Sequence, residues 1–136
     1  MTLTDTGPLL ALLDEDDDLH LPCIAASKRL PMEPMLTTWP CFTETMYLLG
    51  EVGGHRYQSR LWALRSSNDL LLHDLTITEP DRMQTLMEKY KDTPMDLADA
   101  SLVVTAESRA LTRVFTVDSD FYVYRLADGS ALEVIR

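Results

Sequence analysis

Asp96 and Asp99 are the first residues with evident chemical potential, because they lie three positions apart and would share one side of a helix. Thr93 suits the N-cap of that helix and Pro94 its first turn, so we expect Asp96 to complete a capping box. Asp99 lies a turn further in, between two alanines, and a helix capped at Thr93 gives it no structural role. A carboxylate in such an apolar helix is costly to bury unless a cation meets it. The spacing therefore predicts a cation beside Asp99.

Other parts of the chain carry acids where a sheet could bring them to the same place. Asp5 ends a β-like segment, and Glu44 lies on the helix after the second predicted strand. Asp118 and Asp120 follow a late apolar strand. Ligands of open parallel sheets bind beyond the carboxyl ends of the strands, so four elements can deliver acids to one edge. Such a cluster repels itself without a metal, and oxygen ligands on an open site suit Mg²⁺ or Mn²⁺.

Each of these acids also has a structural interpretation, which the residues alone leave open. Asp5 could brace the turn before Pro8, and Glu44 could be a solvent-exposed helix residue. Asp118 and Asp120 could belong to a polar loop after a strand. The shared position of the acids at strand ends, and not any single acid, indicates a site.

The elements that must position these acids alternate between short apolar strands and helices. Strands are predicted at 2–5, 35–38, 70–73, 114–117 and 132–135, and helices at 8–13, 21–30, 40–49, 54–66, 83–90 and from Pro94 onward. This alternation favours a sheet that is largely parallel and covered on both faces. The predicted fold class is therefore α/β, with a central, mostly parallel sheet.

The bulk properties limit the class of protein. At 136 residues the chain is predicted to form one domain, 1–136. We find no leader and no apolar run of bilayer length, so we expect no membrane contact. Cys23 and Cys41 lack metal-type spacing, so we expect free thiols. Together these features predict a cytoplasmic location. The net charge of −10 argues against nucleic-acid binding through bulk charge. A nuclease is still open, because a divalent metal reverses the local sign of an acidic site.

Four blocks stand in order along the chain: Thr4–Leu9, Thr38–Leu49 with its Pro40 and Thr43-Glu44, Pro94–Val103, and Phe115–Phe121. Together they resemble PIN-domain ribonucleases, and more narrowly the VapC-type toxins of bacterial toxin–antitoxin pairs. The resemblance implies a three-layer α/β/α sandwich and a metal-dependent endoribonuclease that hydrolyses RNA phosphodiester bonds. It also implies a homodimer and an antitoxin protein whose tail fills the site.

The resemblance also assigns roles by position. The catalytic and metal-binding acids are Asp5, Glu44, Asp99 and Asp118, and Asp96 and Asp120 match positions that the family fills less consistently. The implied cofactor is Mg²⁺ or Mn²⁺, which would activate a water molecule and neutralise charge on the phosphate.

Substrate contacts are predicted from residue type. Thr6 and Thr116 are candidates for hydrogen bonds to a phosphate or to water on the metal, although a turn or sheet role also suits both. Arg56 and Arg60 share one helix face and are candidates for phosphate contacts. Trp39, Trp62 and the large apolar residues of the helices near 42–66 are predicted to form core or dimer surface rather than a platform for base stacking.

Three other functions fit part of the sequence. A receiver-type signalling domain also combines clustered aspartates, Mg²⁺ and an α/β sheet, but it needs a lysine after the last core strand, where acids and aromatics follow Val117. A haloacid-dehalogenase phosphatase could use Asp118 and Asp120, but its acid pair belongs after the first strand. A catalytically silent PIN-like module, whose acids only engage a basic partner, has the same sequence features as the enzyme.

Overall fold

A computed structural model describes all 136 residues and contains one five-stranded sheet. Its strands are β1 (Thr2–Thr4), β2 (Met35–Thr38), β3 (Leu70–His73), β4 (Arg113–Phe115) and β5 (Glu133–Ile135), in the spatial order β3-β2-β1-β4-β5. Every pairing is parallel. The chain moves outward from β1 to β3 and then returns to the other side of β1, so the switch point lies between β1 and β4. Ligand sites of open α/β sheets form at this point, beyond the carboxyl ends of the strands.

Helices cover both faces of the sheet. They are α1 (Thr6–Leu13), α2 (His20–Ser27), α3 (Trp39–Gly53), α4 (His55–Ser66), α5 (Glu79–Lys89) and α6 (Leu97–Arg109). Helices α5 and α6 pack with the largest apolar cluster on one face, and α1 to α4 contribute to two smaller clusters on the other. The predicted three-layer α/β/α sandwich is therefore confirmed. None of the helices combines the length and apolar character needed to span a bilayer.

The core of the sheet is one row of aliphatic side chains set by the parallel register. Leu3 of β1 is paired with Leu36 of β2 on one side and with Val114 of β4 on the other, and all three are fully buried. The row extends to Leu71 of β3 and Val134 of β5 at the edges. Burial of each such side chain stabilises the fold by about 1.5–3 kcal/mol. This row fixes β1 and β4 side by side and thereby sets the position of the residues that follow them.

All six helices begin one to four residues from the predicted positions, the largest difference being at α5, which begins at Glu79 and not at Met83. For α1 and α6 an aspartate is the reason. Helix α1 begins at Thr6 and not at Pro8, because Asp5 is its N-cap. Helix α6 begins at Leu97, so the predicted cap at Thr93 and first turn at Pro94 are wrong. Asp96, which was expected inside the first turn, is the N-cap itself.

The end of β4 also differs from the prediction. The strand stops at Phe115, two residues early, and a 3₁₀ helix at Ser119–Tyr122 follows with Asp118 as its N-cap. Thr116 and Asp118 consequently lie in the loop that leaves the switch point. This loop faces the start of α1, so both segments can contribute to one site.

Candidate active site

A cleft of about 370 Å³ lies at the carboxyl edge of β1 and β4. Five of its lining side chains are carboxylates, and none is a lysine, arginine or histidine; the full lining is Asp5, Thr6, Gly7, Leu10, Glu44, Leu48, Asp96, Ala98, Asp99, Val117 and Asp118. The structure thus brings together all four acids predicted to be catalytic, and Asp96 with them. Acids without a cationic partner form a strongly negative cavity, which favours a bound cation.

Two threonine hydroxyl groups connect the acids at the switch point. Asp5 caps α1 by accepting a hydrogen bond from the Thr6 amide at 2.8 Å, and its second oxygen accepts one from Thr116 Oγ1 at 2.8 Å. Thr6 Oγ1 donates to Glu44 Oε2 at 3.2 Å, and the Asp118 amide donates to Thr116 Oγ1 at 3.0 Å. The two threonines predicted to contact substrate therefore orient the acids in this structure.

Asp99 takes part in the cap of α6, a structural role that the sequence analysis did not predict for it. Its amide donates to Asp96 Oδ1 at 2.8 Å while its carboxylate accepts from the Asp96 amide, which completes a capping box. Asp99 Oδ2 also accepts a 2.9 Å hydrogen bond from the phenol of Tyr124. The Tyr124 ring packs edge-on against Tyr90 and Phe121 at 5.1 Å, so its hydroxyl is held in place.

The cleft raises the pKa of two of its carboxyl groups. Burial raises the pKa of Asp99 from 3.8 to about 7, the charge on Asp96 adds to the shift, and the Tyr124 hydrogen bond opposes it. Burial also raises the pKa of Asp5, with further contributions from the charges of Asp118 and Glu44. Both shifts have one physical cause, namely that water has been removed from these acids and no protein cation replaces it.

Cys41 is a buried neighbour of the acids whose contact was not predicted. It lies on α3 one turn before Glu44, and its Sγ is 3.8 Å from Asp5 Oδ1 and 3.9 Å from the carbonyl oxygen of Ala98. Burial and then the Asp5 charge raise the pKa of the Cys41 thiol to about 12, so it remains protonated and can donate to Asp5. The three-residue spacing from Glu44 is the sequence signal that could have indicated this position.

Four predicted site residues do not line the acidic cleft. One is Thr116, which is fully buried and contacts the site only through its hydrogen bonds to the acids. Asp120 lies outside the cleft, and its amide donates to Asp118 Oδ1 at 2.9 Å. Arg60 donates from Nη1 to the carbonyl of Leu13 and to Glu15, both at 2.8 Å, and so ties α4 to the end of α1. Arg56 is exposed on α4, away from the cleft lining.

The acids face one cleft but are not closed around a single point. No three acidic, histidine or cysteine side chains of the chain form a group that could hold a metal ion as they stand. Their oxygens are instead turned toward hydroxyl and amide donors, as for Asp5 and Asp99. Mutual repulsion among uncompensated carboxylates favours such separation. The donor set, five carboxylates beside two hydroxyl groups, nevertheless fits a hard divalent cation.

The family model for the PIN domain matches residues 2–126. This chain belongs to the PIN-domain family. The match covers the four acids and confirms the resemblance to PIN domains; it also decides against the receiver and haloacid-dehalogenase alternatives. No curated protein sequence is similar enough to the chain to count as a match.

Solved structures show the same fold at low sequence identity. VapC20 of Mycobacterium tuberculosis, described as a sarcin–ricin loop cleaving toxin, is 19% identical, with a TM-score of 0.85 and all of both chains covered. A toxin–antitoxin complex from Klebsiella pneumoniae is 20% identical, with a TM-score of 0.69 over 89% of this chain and 90% of the other. FitAcB from Neisseria gonorrhoeae is 17% identical, with a TM-score of 0.66 over 100% and 97%.

Proposed function

We propose that this PIN domain is a metal-dependent endoribonuclease that hydrolyses RNA phosphodiester bonds. The observation that carries the proposal is the cleft at the switch point, where five carboxylates have no cationic side chain among them. Such an arrangement is unfavourable for a purely structural site and suits one that takes up divalent metal. Residues 1–136 would act as one domain.

Asp5, Glu44, Asp99 and Asp118 would hold the ion, which we propose to be Mg²⁺ or Mn²⁺ because all the available ligands are hard oxygens. Asp96 lines the same cleft and would contribute through its contact with Asp99. The bound ion would supply Lewis-acid activation of water and neutralisation of charge on the phosphate. Asp120, outside the cleft, would act only by holding the loop of Asp118.

The protein's own contribution is the positioning of these oxygens. Thr116 fixes one Asp5 oxygen while its own oxygen accepts the Asp118 amide, so the ends of β1 and β4 are tied together. Tyr124, which packs in the same apolar cluster as α6, fixes one oxygen of Asp99. Since no three of the acids could hold an ion as they stand, a bound ion would have to draw them together, and these hydrogen bonds would limit how far each carboxylate moves.

We further propose that the chain is the toxin of a toxin–antitoxin pair, active in the cytoplasm as a homodimer. The support is the fold shared with VapC20 of Mycobacterium tuberculosis and with a toxin–antitoxin complex from Klebsiella pneumoniae. The partner would be an antitoxin protein. A basic antitoxin segment would find complementary charge in the acidic cleft, since the whole chain carries a net charge of −10.

Cleavage of RNA by the purified protein tests this proposal. We expect hydrolysis of a single-stranded RNA with Mg²⁺ or Mn²⁺, none with EDTA, and a loss of at least about a hundredfold in Asp5→Asn. Asp92→Asn, an exposed acid that does not line the cleft, is the matched control and should retain activity. A folded protein that binds an antitoxin but cleaves no RNA with either metal would instead establish the silent binding module.

A further inference from the structure

A second cleft, of about 410 Å³, runs along the edge strand β3. Leu70, Leu71 and Leu72 form its floor, and β3 has no strand on its outer side. At about 3.3 Å per residue, the four residues of β3 give the cleft a length of roughly 13 Å. Arg65 lies at the end before the strand, and Trp39 lies beyond its carboxyl end.

The lining of this cleft carries more positive than negative side chains, whereas the chain as a whole is negative. Its charged lining residues are Arg65, Arg109 and a single acid, Asp74. Four other clefts, including the acidic site, have only carboxylates as their charged residues. On a chain with a net charge of −10, an anionic ligand is therefore best accommodated along β3.

The two arginines keep donors free for such a ligand. Arg65 is exposed in the last turn of α4 and takes part in none of the chain's ion pairs. Arg109 donates from Nε to His73 Nδ1 at 2.8 Å, and His73 is itself bonded to Glu79 at 2.9 Å. This partly buried contact orients the Arg109 side chain and uses only one of its five N–H donors, so its terminal nitrogens can bind phosphate oxygens.

The third element of the cleft is an indole ring that is fixed and half-exposed. Trp39 Nε1 donates to Asp74 Oδ1 at 3.0 Å, and the ring meets Phe42 edge-on at 5.4 Å. The side chain is nevertheless 41% exposed, so Trp39 is not a core residue, and its ring can stack a base, a role that the sequence analysis did not favour. A rigid aromatic face beside guanidinium groups is the combination that binds single-stranded nucleic acid, through base stacking and phosphate contacts.

The two clefts meet the same edge of the sheet. Trp39 directly follows Thr38, whose hydroxyl bonds Ser101 of α6 at 2.6 Å, and it precedes Cys41, which contacts Asp5. A chain whose phosphate lies at the acids can therefore continue past the indole ring toward Arg65. Arg109 contacts His73 at the carboxyl end of β3, the end at which Trp39 lies, and Arg65 at the other end extends the path away from the acids.

We propose that the β3 cleft binds the segment of single-stranded RNA next to the scissile phosphate, with a base stacked on Trp39 and phosphates bound by Arg65 and Arg109. This inference rests on the proposed ribonuclease function and adds to it the surface that holds the substrate. It explains how a strongly acidic protein retains RNA, because attraction at β3 offsets repulsion elsewhere.

Tryptophan fluorescence offers a direct test, because the chain has two tryptophans and Trp62→Phe leaves Trp39 alone. In a Trp62→Phe, Asp99→Asn protein, we expect a short single-stranded RNA to quench this fluorescence. In the otherwise unsubstituted enzyme, Arg65→Ala and Trp39→Ala should each raise KM about tenfold and change kcat less than twofold, while Trp39→Phe keeps part of the binding. Lys28→Ala, which removes one exposed cation elsewhere, should leave KM unchanged. Circular dichroism verifies the fold of each variant.

The outcomes separate the two proposals. If the unsubstituted enzyme cleaves RNA but KM is unchanged in Arg65→Ala and Trp39→Ala, the β3 cleft is not the RNA surface. If Trp39 fluorescence is quenched without RNA as the protein concentration rises, the cleft binds a second copy of the chain. If only an antitoxin quenches it, the cleft binds a protein partner. Either result overturns the inference. Absence of metal-dependent cleavage together with quenching by RNA would refute the proposed enzyme and support the RNA cleft.

Discussion

Removal of the charge on Asp99 should stabilise the metal-free protein, even though Asp99 belongs to a helix cap. The side chain is only 6% exposed, and no cation lines the cleft around it. Asp99→Asn keeps the shape of the side chain and an oxygen that can accept from Tyr124 or from the Asp96 amide. The substitution therefore removes the negative charge and leaves most of the local hydrogen bonds in place.

The magnitude follows from the pKa of Asp99, which is about 7 in the folded chain and ordinarily 3.8. Each unit corresponds to about 1.4 kcal/mol, so the difference sets an upper limit of about 4 kcal/mol. Solvent screening in the open cleft reduces this value, and we expect a gain on the order of 2 kcal/mol. For a chain of this size, that gain raises Tm by roughly 6–10 °C.

The gain should depend on pH with a defined sign. Because the folded-state pKa of Asp99 is raised, the folded protein binds this proton more tightly than the unfolded chain does. Wild type therefore loses stability as pH rises from about 3.8 through about 7. The advantage of Asp99→Asn should be full at about pH 8, shrink below pH 7 and vanish near pH 4.

Differential scanning calorimetry in EDTA measures this effect. Asp92→Asn, an exposed acid, is the control for the change in net charge and should shift Tm by about 1 °C or less. A less stable Asp99→Asn protein at about pH 8, or an advantage that does not change with pH, would show that the folded protein tolerates the Asp99 charge. The inference that uncompensated carboxylate charge in the cleft destabilises the metal-free fold would then be wrong.

Three further substitutions test the surroundings of the acids. Tyr124→Phe should raise the pKa of Asp99 above its present value of about 7, because the lost hydrogen bond favours the ionised form; an unchanged value in a carboxyl NMR titration would contradict this. Asp96→Ala should lower the free energy of unfolding by about 1 kcal/mol in urea, whereas Asp96→Ser should retain most of it; equal losses would contradict the N-cap role. Gly7→Ala should destabilise the fold by about 1–3 kcal/mol, because its Cβ would lie 2.6 Å from Val117 Cγ2 in the cleft wall, and thermal unfolding measures the loss.

The sheet and its order of elements were predictable because strand and helix signals act locally. The segments around Leu36 and Val114 were recognisable as strands, the β-like segment around Leu3 was recognisable less clearly because threonines flank it, and the parallel arrangement followed from the helices between them. The register that aligns these three residues was not predictable. It depends on packing between segments more than thirty residues apart, which no local pattern records.

The acids were predictable because the ends of neighbouring parallel strands lie together. Their hydrogen-bond partners were not predictable, because those contacts join segments that no local pattern connects. Parallel strands end at one edge, so acids after β1 and β4 had to be neighbours. The contact of Tyr124 with Asp99 joins different elements across the core and leaves no periodic signal. The cap of α6 was misassigned because Thr93 and Pro94 also form a plausible helix start. Asp96 is the N-cap because the Asp99 carboxylate accepts a hydrogen bond from its amide and completes the capping box.

Anomalous diffraction from Mn²⁺ can show whether the acids at the switch point share a divalent ion. In crystals grown or soaked with Mn²⁺, we expect a peak in the cleft within ligand distance, about 2.0–2.2 Å, of oxygens from at least two of Asp5, Glu44, Asp99 and Asp118. The same peak should be absent in Asp5→Asn crystals. A saturating Mn²⁺ soak that leaves the cleft empty, or that places the ion only on other surface acids, would contradict the account.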